Sequence, residues 1–270
     1  MQGLILLALS ILLWPGHPAR AEPAEVTIVT QNFAPLQWSN QGKPDGYVTA
    51  YMLAVAEKVS RSVPVRIEAF EFLPWKRAML TAETVPNVLL FSLSRTAERE
   101  QKFFWLGEVS PYGQYLYQLE SSPEIKVDRI EDLLDLDVRV GVQDGGNLFA
   151  YLKKLGFEGT GKIVPITDYH QGIEMLYLGR IDLLPLTGFL AEASACKQGY
   201  DGSRLKPVIF VEELAKPLWA VFSKGTDPDL VDAFRAEMAV LKDEGFLDAQ
   251  ILSHRSSWQA LACGAWTVEN

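Results

Sequence analysis

Two serines and an arginine that follow a short apolar run are the residues best suited to chemistry in this chain. Val88–Phe91 is typical of a buried strand, and Ser92 and Ser94 follow it at alternate positions. Arg99 comes five residues later. An arginine fork binds a carboxylate through two charge-assisted hydrogen bonds, and hydroxyls can donate to its remaining lone pairs. The group predicts a carboxylate site.

The residues between this strand and Arg99 predict the start of a helix. Thr96 is a suitable N-cap, and Glu98 would supply the acidic first turn. Free N–H groups and the helix dipole would then favour an anion beside Ser92, Ser94 and Arg99. The alternative is a capped helix whose arginine is solvated between two glutamates.

A second strand-to-helix turn offers another anion-binding surface. A strand is predicted over Val138–Val142 and a helix over Leu148–Leu155, with two glycines and Asn147 between them. Glycine lets the backbone approach a ligand closely, and N–H groups of Gly146 and Asn147 could bind an anion. A plain turn capped by Asn147 explains the same residues.

Aromatic residues supply candidate pocket walls. Phe33, Trp38, Phe72 and Trp75 fall at predicted strand ends or in loops. Sheets of alternating α/β folds bind ligands at strand ends, so these rings could line a ligand pocket. Core packing is the alternative for each ring.

Strand and helix patterns alternate along most of the chain, which predicts an α/β fold with largely parallel sheets. Predicted strands are Val26–Thr30, Val65–Phe70, Val88–Phe91, Val138–Val142, Ile163–Ile166, Leu183–Leu186 and Leu218–Phe222. Predicted helices are Tyr47–Val59, Trp75–Ala82, Ile130–Leu134, Leu148–Leu155, Tyr169–Leu178, Ala191–Lys197 and Pro228–Lys242. An aromatic run at Tyr112–Tyr117 interrupts the rhythm. Two lobes joined by a hinge and a single doubly wound domain both fit this pattern.

The N-terminus predicts export. Leu4–Trp14 is too short to span a bilayer but suits a signal peptide, and Ala19-Arg20-Ala21 supplies a cleavage site. We therefore expect residues 1–21 to be a signal peptide, although Met1–Gly3 carries no positive charge. No cysteine follows the cleavage site, which argues against a lipid anchor, and no later stretch is long and apolar enough to span a membrane.

Composition and motifs disfavour several functions. The chain has 25 basic and 34 acidic residues, a formal net charge of −9, which repels nucleic acid and anionic membranes. Motifs of serine hydrolases, zinc proteases, P-loop proteins and dinucleotide-binding enzymes are missing. His170 has the position of a solvent-facing residue at a helix start. No metal site, cofactor or catalytic residue is predicted.

Two cysteines, Cys196 and Cys263, remain after signal cleavage. An even count in an oxidising compartment favours a disulfide between them. Closing a loop of about 67 residues would stabilise the fold by roughly 4 kcal/mol in the chain-entropy model. Two unpaired thiols are the alternative.

The serine–arginine segment, with its intervening threonine, resembles the carboxylate-binding motif of periplasmic solute-binding proteins of polar amino-acid ABC importers. Further resemblance extends in order along nearly the whole mature chain. It lies at Asn32–Leu36, Gly46-Tyr47, Gly141–Gly146, Leu178–Asp182 and Lys242–Phe246.

The resemblance implies a type II periplasmic-binding-protein fold. Each lobe would hold a mostly parallel sheet flanked by helices, and two strands would form the hinge. Lobe 1 would comprise residues 25–113 and 212–270, and lobe 2 residues 114–211. The implied protein is a non-enzymatic periplasmic monomer that needs no cofactor. It closes over a small carboxylated solute, an amino acid or related organic acid, and delivers it to an ABC importer permease.

By resemblance and residue chemistry together, eight residues are expected to bind the ligand. They are Phe33, Trp75, Ser92, Ser94, Arg99, Gly146, Asn147 and Thr187. Phe33 matches the ring that stacks on ligand side chains in the family. The resemblance would also place Cys196 in lobe 2 and let a disulfide tie the C-terminal tail to that lobe.

The chain departs from the family at two of these positions. Gly146 stands where a hydroxyl residue is common. Thr187 stands where relatives that bind α-amino acids carry an aspartate for the ligand ammonium, and a buried unpaired cation is costly. Either Asp144 or Glu212 reaches the amine, or the ligand is not a free α-amino acid.

Two other functions fit the same fold. One is a sensory module that presents its closed form to a membrane receptor. The other is an enzyme like the periplasmic cyclohexadienyl dehydratase, which would need an acid beside the ligand that the sequence does not identify. Fold alone does not decide between them.

Overall fold

The computed structural model describes residues 22–262, which form twelve strands and seven α-helices. The strands are β1 (Ala24–Thr30), β2 (Trp38–Asn40), β3 (Lys43–Asp45), β4 (Val65–Phe72), β5 (Val88–Ser94), β6 (Phe103–Ser110), β7 (Gln114–Leu119), β8 (Val140–Gln143), β9 (Ile163–Ile166), β10 (Leu184–Thr187), β11 (Leu205–Phe210) and β12 (Leu218–Ser223). The helices are α1 (Tyr47–Val59), α2 (Trp75–Thr84), α3 (Asn147–Lys154), α4 (Tyr169–Tyr177), α5 (Ala191–Cys196), α6 (Pro228–Asp243) and α7 (Phe246–Ala262).

A five-stranded sheet in the order β4–β1–β5–β12–β6 is covered by helices on both faces. Side chains alternate across each strand, so Ile28 packs in the core beneath α1 and α6, whereas Val29 packs beneath α2. On β5, Phe91 likewise packs on the face covered by α1 and α6, and Leu90 packs on the face covered by α2. The sheet is therefore buried on both faces, as its continuous apolar strands predict.

The start of α1 depends on glycine. Gly46 is the N-cap and has φ 116°, and a Cβ there would lie 2.3 Å from the carbonyl oxygen of Leu36. The backbone of Leu36 in turn accepts a hydrogen bond from the N–H of Val48 at 2.9 Å. This close approach fixes the loop of residues 33–37 against the beginning of α1.

Residues 114–210 form a second set of sheets. β7 lies between β10 and β11, and β8 pairs with β9. A bridge between Val140 and Leu183 joins these two groups. The chain passes between this set and the five-stranded sheet twice, once between β6 and β7 and once between β11 and β12. The predicted lobe boundaries and two-strand hinge fall at these crossings and stay predictions.

The prediction of mostly parallel sheets is wrong in part. β1 pairs in parallel with β4 and β5, and β8 with β9, but β12 is antiparallel to both of its neighbours. β7 is also antiparallel to β10 and β11. Strand direction is not encoded in the local apolar pattern, so the sequence could not show that β12 lies between β5 and β6 and runs opposite to both.

The predicted helix after Thr96 is absent from the described chain. Residues 97–102 form successive turns, with the N–H of Arg99 donating to the Thr96 carbonyl at 3.0 Å. Only eight residues separate β5 from β6, which leaves no room for a helix of normal length. The carboxylate site therefore has no helix terminus at this point.

Most other elements lie within a few residues of their predicted limits, whereas β2, β3, β6, β11 and α7 were not predicted. The segment Ile130–Leu134 is a 3-10 rather than an α-helix. α7 packs against α1, α5 and α6. Among residues 22–262, no helix is long and apolar enough to cross a membrane.

Two predictions involve residues that the structure does not describe. The signal peptide, residues 1–21, lies wholly outside the described chain. Cys196 is buried at the end of α5, which contacts α7, but Cys263 lies just beyond the described residues. The Cys196–Cys263 disulfide therefore stays a prediction.

Candidate ligand-binding site

Seven of the eight predicted site residues line one small cavity between β5, the loop after β1, and the β8–α3 turn. They are Phe33, Trp75, Ser92, Ser94, Arg99, Gly146 and Asn147. The cavity has a volume of about 20 Å³. The structure thus brings together residues that are far apart in sequence, although their role in binding stays a prediction.

Ser92 is held in an unusual backbone conformation. Its φ is 63°, in the left-handed region that non-glycine residues seldom adopt, and it lies within β5. Its hydroxyl donates to Oε1 of Gln37 at 2.8 Å, and both residues are buried. Such strain persists where the surrounding structure over-determines it, and it is concentrated at functional sites.

Ser94 connects the end of β5 to the start of α3. Its hydroxyl accepts a hydrogen bond from Nδ2 of Asn147 at 2.9 Å. Gly146 is the N-cap of α3, and its N–H donates to the carbonyl of Gln143 at 2.9 Å. The Gly146 N–H predicted to bind an anion is therefore engaged within its own turn.

Arg99 is a cation without a carboxylate. Its guanidinium donates to the backbone carbonyls of Ser94 at 3.2 Å and Gly145 at 3.1 Å. Within residues 22–262 it forms no ion pair. Burial lowers the pKa of Arg99, against the opposing effect of the charges on Glu98 and Glu83.

The neighbouring acid that could have neutralised Arg99 is paired elsewhere. Glu100 accepts hydrogen bonds from Arg95 at 2.9 and 2.5 Å, and Arg95 lies over the rings of Trp105 and Trp219. The sequence alternative of an arginine solvated between two glutamates does not describe these contacts, because Arg99 donates to two backbone carbonyls and Glu100 pairs with Arg95.

The carbonyl of Gly145 joins the two sides of the cavity. Gly145 has φ 73°, and its oxygen accepts from the Trp75 indole at 3.1 Å as well as from Arg99. Lys76 forms an ion pair with Asp144 at 3.0 Å beside these contacts. Donors of the α2 and β5 side therefore bind the β8–α3 turn directly.

Three rings form one wall of the cavity. Phe33 stacks on Tyr169 with centroids 5.1 Å apart and meets Tyr112 edge-on at 6.2 Å. Nε2 of Gln114 donates to the hydroxyl of Tyr169 at 3.0 Å. Burial raises the pKa of both phenols, so they are neutral hydrogen-bonding groups at ordinary pH.

Thr187 does not line the small cavity. It lines a neighbouring cavity of about 420 Å³, which Phe33 and Tyr169 also border. Trp38 and His170 line this larger cavity as well. Phe72, by contrast, packs against Phe70 with centroids 5.2 Å apart and lines neither cavity.

Neither carboxylate considered as a replacement for the family aspartate lines either cavity. Asp144 is paired with Lys76, and Glu212 is exposed on a 3-10 turn between β11 and β12. Among residues 22–262, no cluster of His, Cys, Asp and Glu could hold a metal ion.

Sequence reasoning missed several residues of the small cavity. Nε2 of Gln143 donates to Oε1 of Gln31 at 2.5 Å, and both residues line the cavity with Tyr112 and Tyr169. Gln31 directly follows β1 and Gln143 ends β8. These strand-end positions are the sequence signal that could have identified the two glutamines as site residues. A buried glutamine also needs a hydrogen-bond partner.

The cavity beside Arg99 has room for about one water molecule. A ligand carboxylate at Arg99 therefore needs more space than this cavity provides, and movement of the β8–α3 turn away from α2 and β5 would supply it. Arg99 could then exchange the neutral Gly145 carbonyl for a charged carboxylate, which accepts the stronger hydrogen bond.

Comparison with solved structures identifies the fold. The structure is similar to the substrate-binding protein of an amino acid ABC transporter, with a TM-score of 0.69, 18% identity, and coverage of 85% of this chain and 98% of that one. It is also similar to a histidine kinase sensor domain that resembles periplasmic binding proteins, with a TM-score of 0.71, 18% identity, and coverage of 88% and 97%. A third similar structure is an ancestral amino-acid-binding protein, a precursor of cyclohexadienyl dehydratase, with a TM-score of 0.65, 19% identity, and coverage of 85% and 94%.

No family model matches the sequence, and no curated protein matches it. The structural likeness nevertheless extends across most of the chain and includes binding proteins of amino acid ABC transporters. The chain therefore has the type II periplasmic-binding-protein fold.

Proposed function

We propose that this protein is a periplasmic solute-binding protein that captures a small carboxylated solute and delivers it to an ABC importer. The observation that carries the proposal is Arg99, a partly desolvated guanidinium that faces a cavity, donates to two carbonyls and has no ion pair among the described residues. A carboxylate is the group that best completes such a fork.

The binding step follows from the same contacts. Two parts of the chain, on either side of the crossings near residues 111–113 and 211–217, would act as lobes and close over the ligand. Contacts made to both lobes only in the closed form would drive closure. Arg99 and Ser94 would bind from one lobe, and Asn147 from the other.

A sensory role is the second candidate, because the histidine kinase sensor domain is as similar in structure as the importer proteins. Ligand capture would be the same in both roles, but the closed form would be read by a receptor. Enzymatic activity has less support, since neither cavity beside Arg99 contains a buried acid: Asp168, which lines the larger one, is half-buried and caps α4.

The carboxylate requirement can be tested on the mature chain by thermal shift. Small carboxylic acids should raise the melting temperature, and primary amides of the same carbon skeleton should not, because an amide lacks the charge that Arg99 pairs with. A ligand at 100 times its dissociation constant should stabilise by about 2.7 kcal/mol. Stabilisation by acids and amides alike would contradict the proposal.

A further inference from the structure

The cavity of about 420 Å³ next to the anion site has the size and lining of a small-molecule pocket. Apolar side chains of Trp38, Ile173, Leu186 and Leu190 form much of its lining. Polar residues are interspersed among them, which is the usual composition of a site that orients a ligand with a largely apolar body.

A single pair of stacked rings separates this cavity from the anion site. Phe33 and Tyr169 line both cavities, with their centroids 5.1 Å apart. Phe33 lies in the loop after β1, and Tyr169 is the first residue of α4. The rings therefore belong to opposite sides of the twice-crossed boundary, and moving the sides apart joins the two cavities.

Two polar atoms at the larger cavity lack partners. Thr187 is only 6% exposed, and its Oγ1 has no hydrogen-bond partner in the described chain. The same holds for Oε1 of Gln198, another residue of the lining. Buried polar groups are normally satisfied, so these two atoms favour a ligand that carries a hydrogen-bonding group at this end.

The charged side chains that line the larger cavity cancel, so the lining has no net charge that would attract a cationic ligand. Asp168 and Lys197 both line it and carry opposite charges. Oδ1 of Asp168 already accepts from the N–H of Gln171 at 2.8 Å as the N-cap of α4. The hydrogen-bonding group at Thr187 is thus best matched by a neutral hydroxyl or amide.

We infer that the ligand is an elongated carboxylic acid without a charged amine, and this inference depends on the proposed function. Its carboxylate binds Arg99, a planar middle section lies between Phe33 and Tyr169, and a neutral polar end reaches Thr187 and Gln198. A planar group needs the rings about 7 Å apart, two contact distances of about 3.5 Å. In the ligand-bound form the two sides would therefore close less tightly than in this structure, where the ring centroids are 5.1 Å apart.

Calorimetry with four probes tests the inference. They are propanoate, 3-phenylpropanoate, 3-(4-hydroxyphenyl)propanoate and L-tyrosine, which differ in turn by the ring, the hydroxyl and the ammonium. We expect the hydroxylated acid to bind at least tenfold more tightly than 3-phenylpropanoate, propanoate to bind more weakly than both, and L-tyrosine to bind more weakly than its deaminated analogue.

Two variants test whether Thr187 contacts the hydroxyl group of the ligand. Thr187→Val keeps the side-chain shape and should remove the tenfold advantage of the hydroxylated acid without changing the affinity for 3-phenylpropanoate. Thr84→Val, on the exposed side of α2, is the matched control and should change neither affinity.

The outcomes separate the inference from the proposed function. If propanoate binds as tightly as the longer acids, if Thr187→Val changes nothing, or if L-tyrosine binds most tightly, the elongated neutral ligand is wrong while carboxylate capture stands. If no carboxylic acid binds at all, both proposals fail.

Discussion

Arg99 has no ion-pair partner among residues 22–262, although an acidic residue lies on each side of it in the sequence. The sequence places it between two glutamates, and from spacing alone either could pair with it. In the structure Glu100 pairs with Arg95 instead, and stacking of Arg95 on two tryptophans holds this arrangement. The local sequence predicted the residue types of the site but not the assignment of ion pairs, because that depends on Trp105 and Trp219 from other strands.

Ser92 gives a prediction at the same scale. Ser92→Gly and Ser92→Ala both remove the hydroxyl that donates to Gln37, but only glycine adopts φ 63° without strain. We expect Ser92→Gly to unfold with a free energy about 1 kcal/mol greater than Ser92→Ala in urea denaturation. A lower stability of the glycine variant would show that the backbone here is not strained.

At the scale of elements, prediction failed where the length of β5 and of its connection to β6 decided the structure. The apolar run at Val88–Phe91 correctly indicated β5, but the strand continues to Ser94, so both serines lie in it. Thr96 fits the sequence pattern of a helix N-cap. However, β6 begins at Phe103, so the segment between the strands has room only for turns. Local signals therefore found the strand, and the neighbouring strand determined what followed it.

The start of β8 is held by an ion pair that the resemblance did not assign. Asp182 accepts from the backbone N–H of Arg139 at 2.7 Å and from its guanidinium at 3.0 Å through each carboxylate oxygen. Partial burial acts to raise the pKa of Asp182, but the hydrogen bonds from Arg139 outweigh it and hold the pKa below its ordinary value of 3.8. Asp182 therefore joins β8 to the segment that leads into β10.

This pair predicts a pH dependence of stability. The pKa of Asp182 is lower in the folded than in the unfolded chain. Its contribution to stability is therefore fully present above about pH 4 and is lost as the pH falls through the folded-state pKa. We expect Asp182→Asn to lower the melting temperature at pH 7. Between pH 4 and 2, the variant should lose less stability than the wild type. An unchanged difference between variant and wild type across this range would contradict the assignment.

At the scale of the whole molecule, the two sides of the chain meet through contacts between Gly145, Trp75 and Arg99 and between Lys76 and Asp144. The sequence suggested two strand–helix sets but could not show that β12 returns to the first sheet, because strand order is not encoded in local periodicity. The resemblance suggested that return, and the sheet order shows it. The contribution of α7 was missed since its apolar pattern is weak.

If the two sides act as lobes, ligand binding should change the overall dimensions. The mature chain should have a radius of gyration of roughly 18 Å when compact. We expect small-angle X-ray scattering to show a decrease of about 1 Å when a stabilising carboxylic acid is added, because the lobes open and close around the hinge. An unchanged scattering curve at saturating ligand would argue for a single rigid body.

Isothermal titration calorimetry of Arg99→Lys tests the central claim most directly. Lysine keeps the charge but cannot form the fork, so affinity for the most stabilising carboxylic acid should fall at least 30-fold, about 2 kcal/mol. Arg66→Lys, which alters an exposed pair with Glu25 at the far edge of the sheet, is the control and should bind as the wild type does. Matching circular dichroism spectra would show that all three proteins are folded. Undiminished binding by Arg99→Lys would contradict the assignment of Arg99 as the carboxylate anchor.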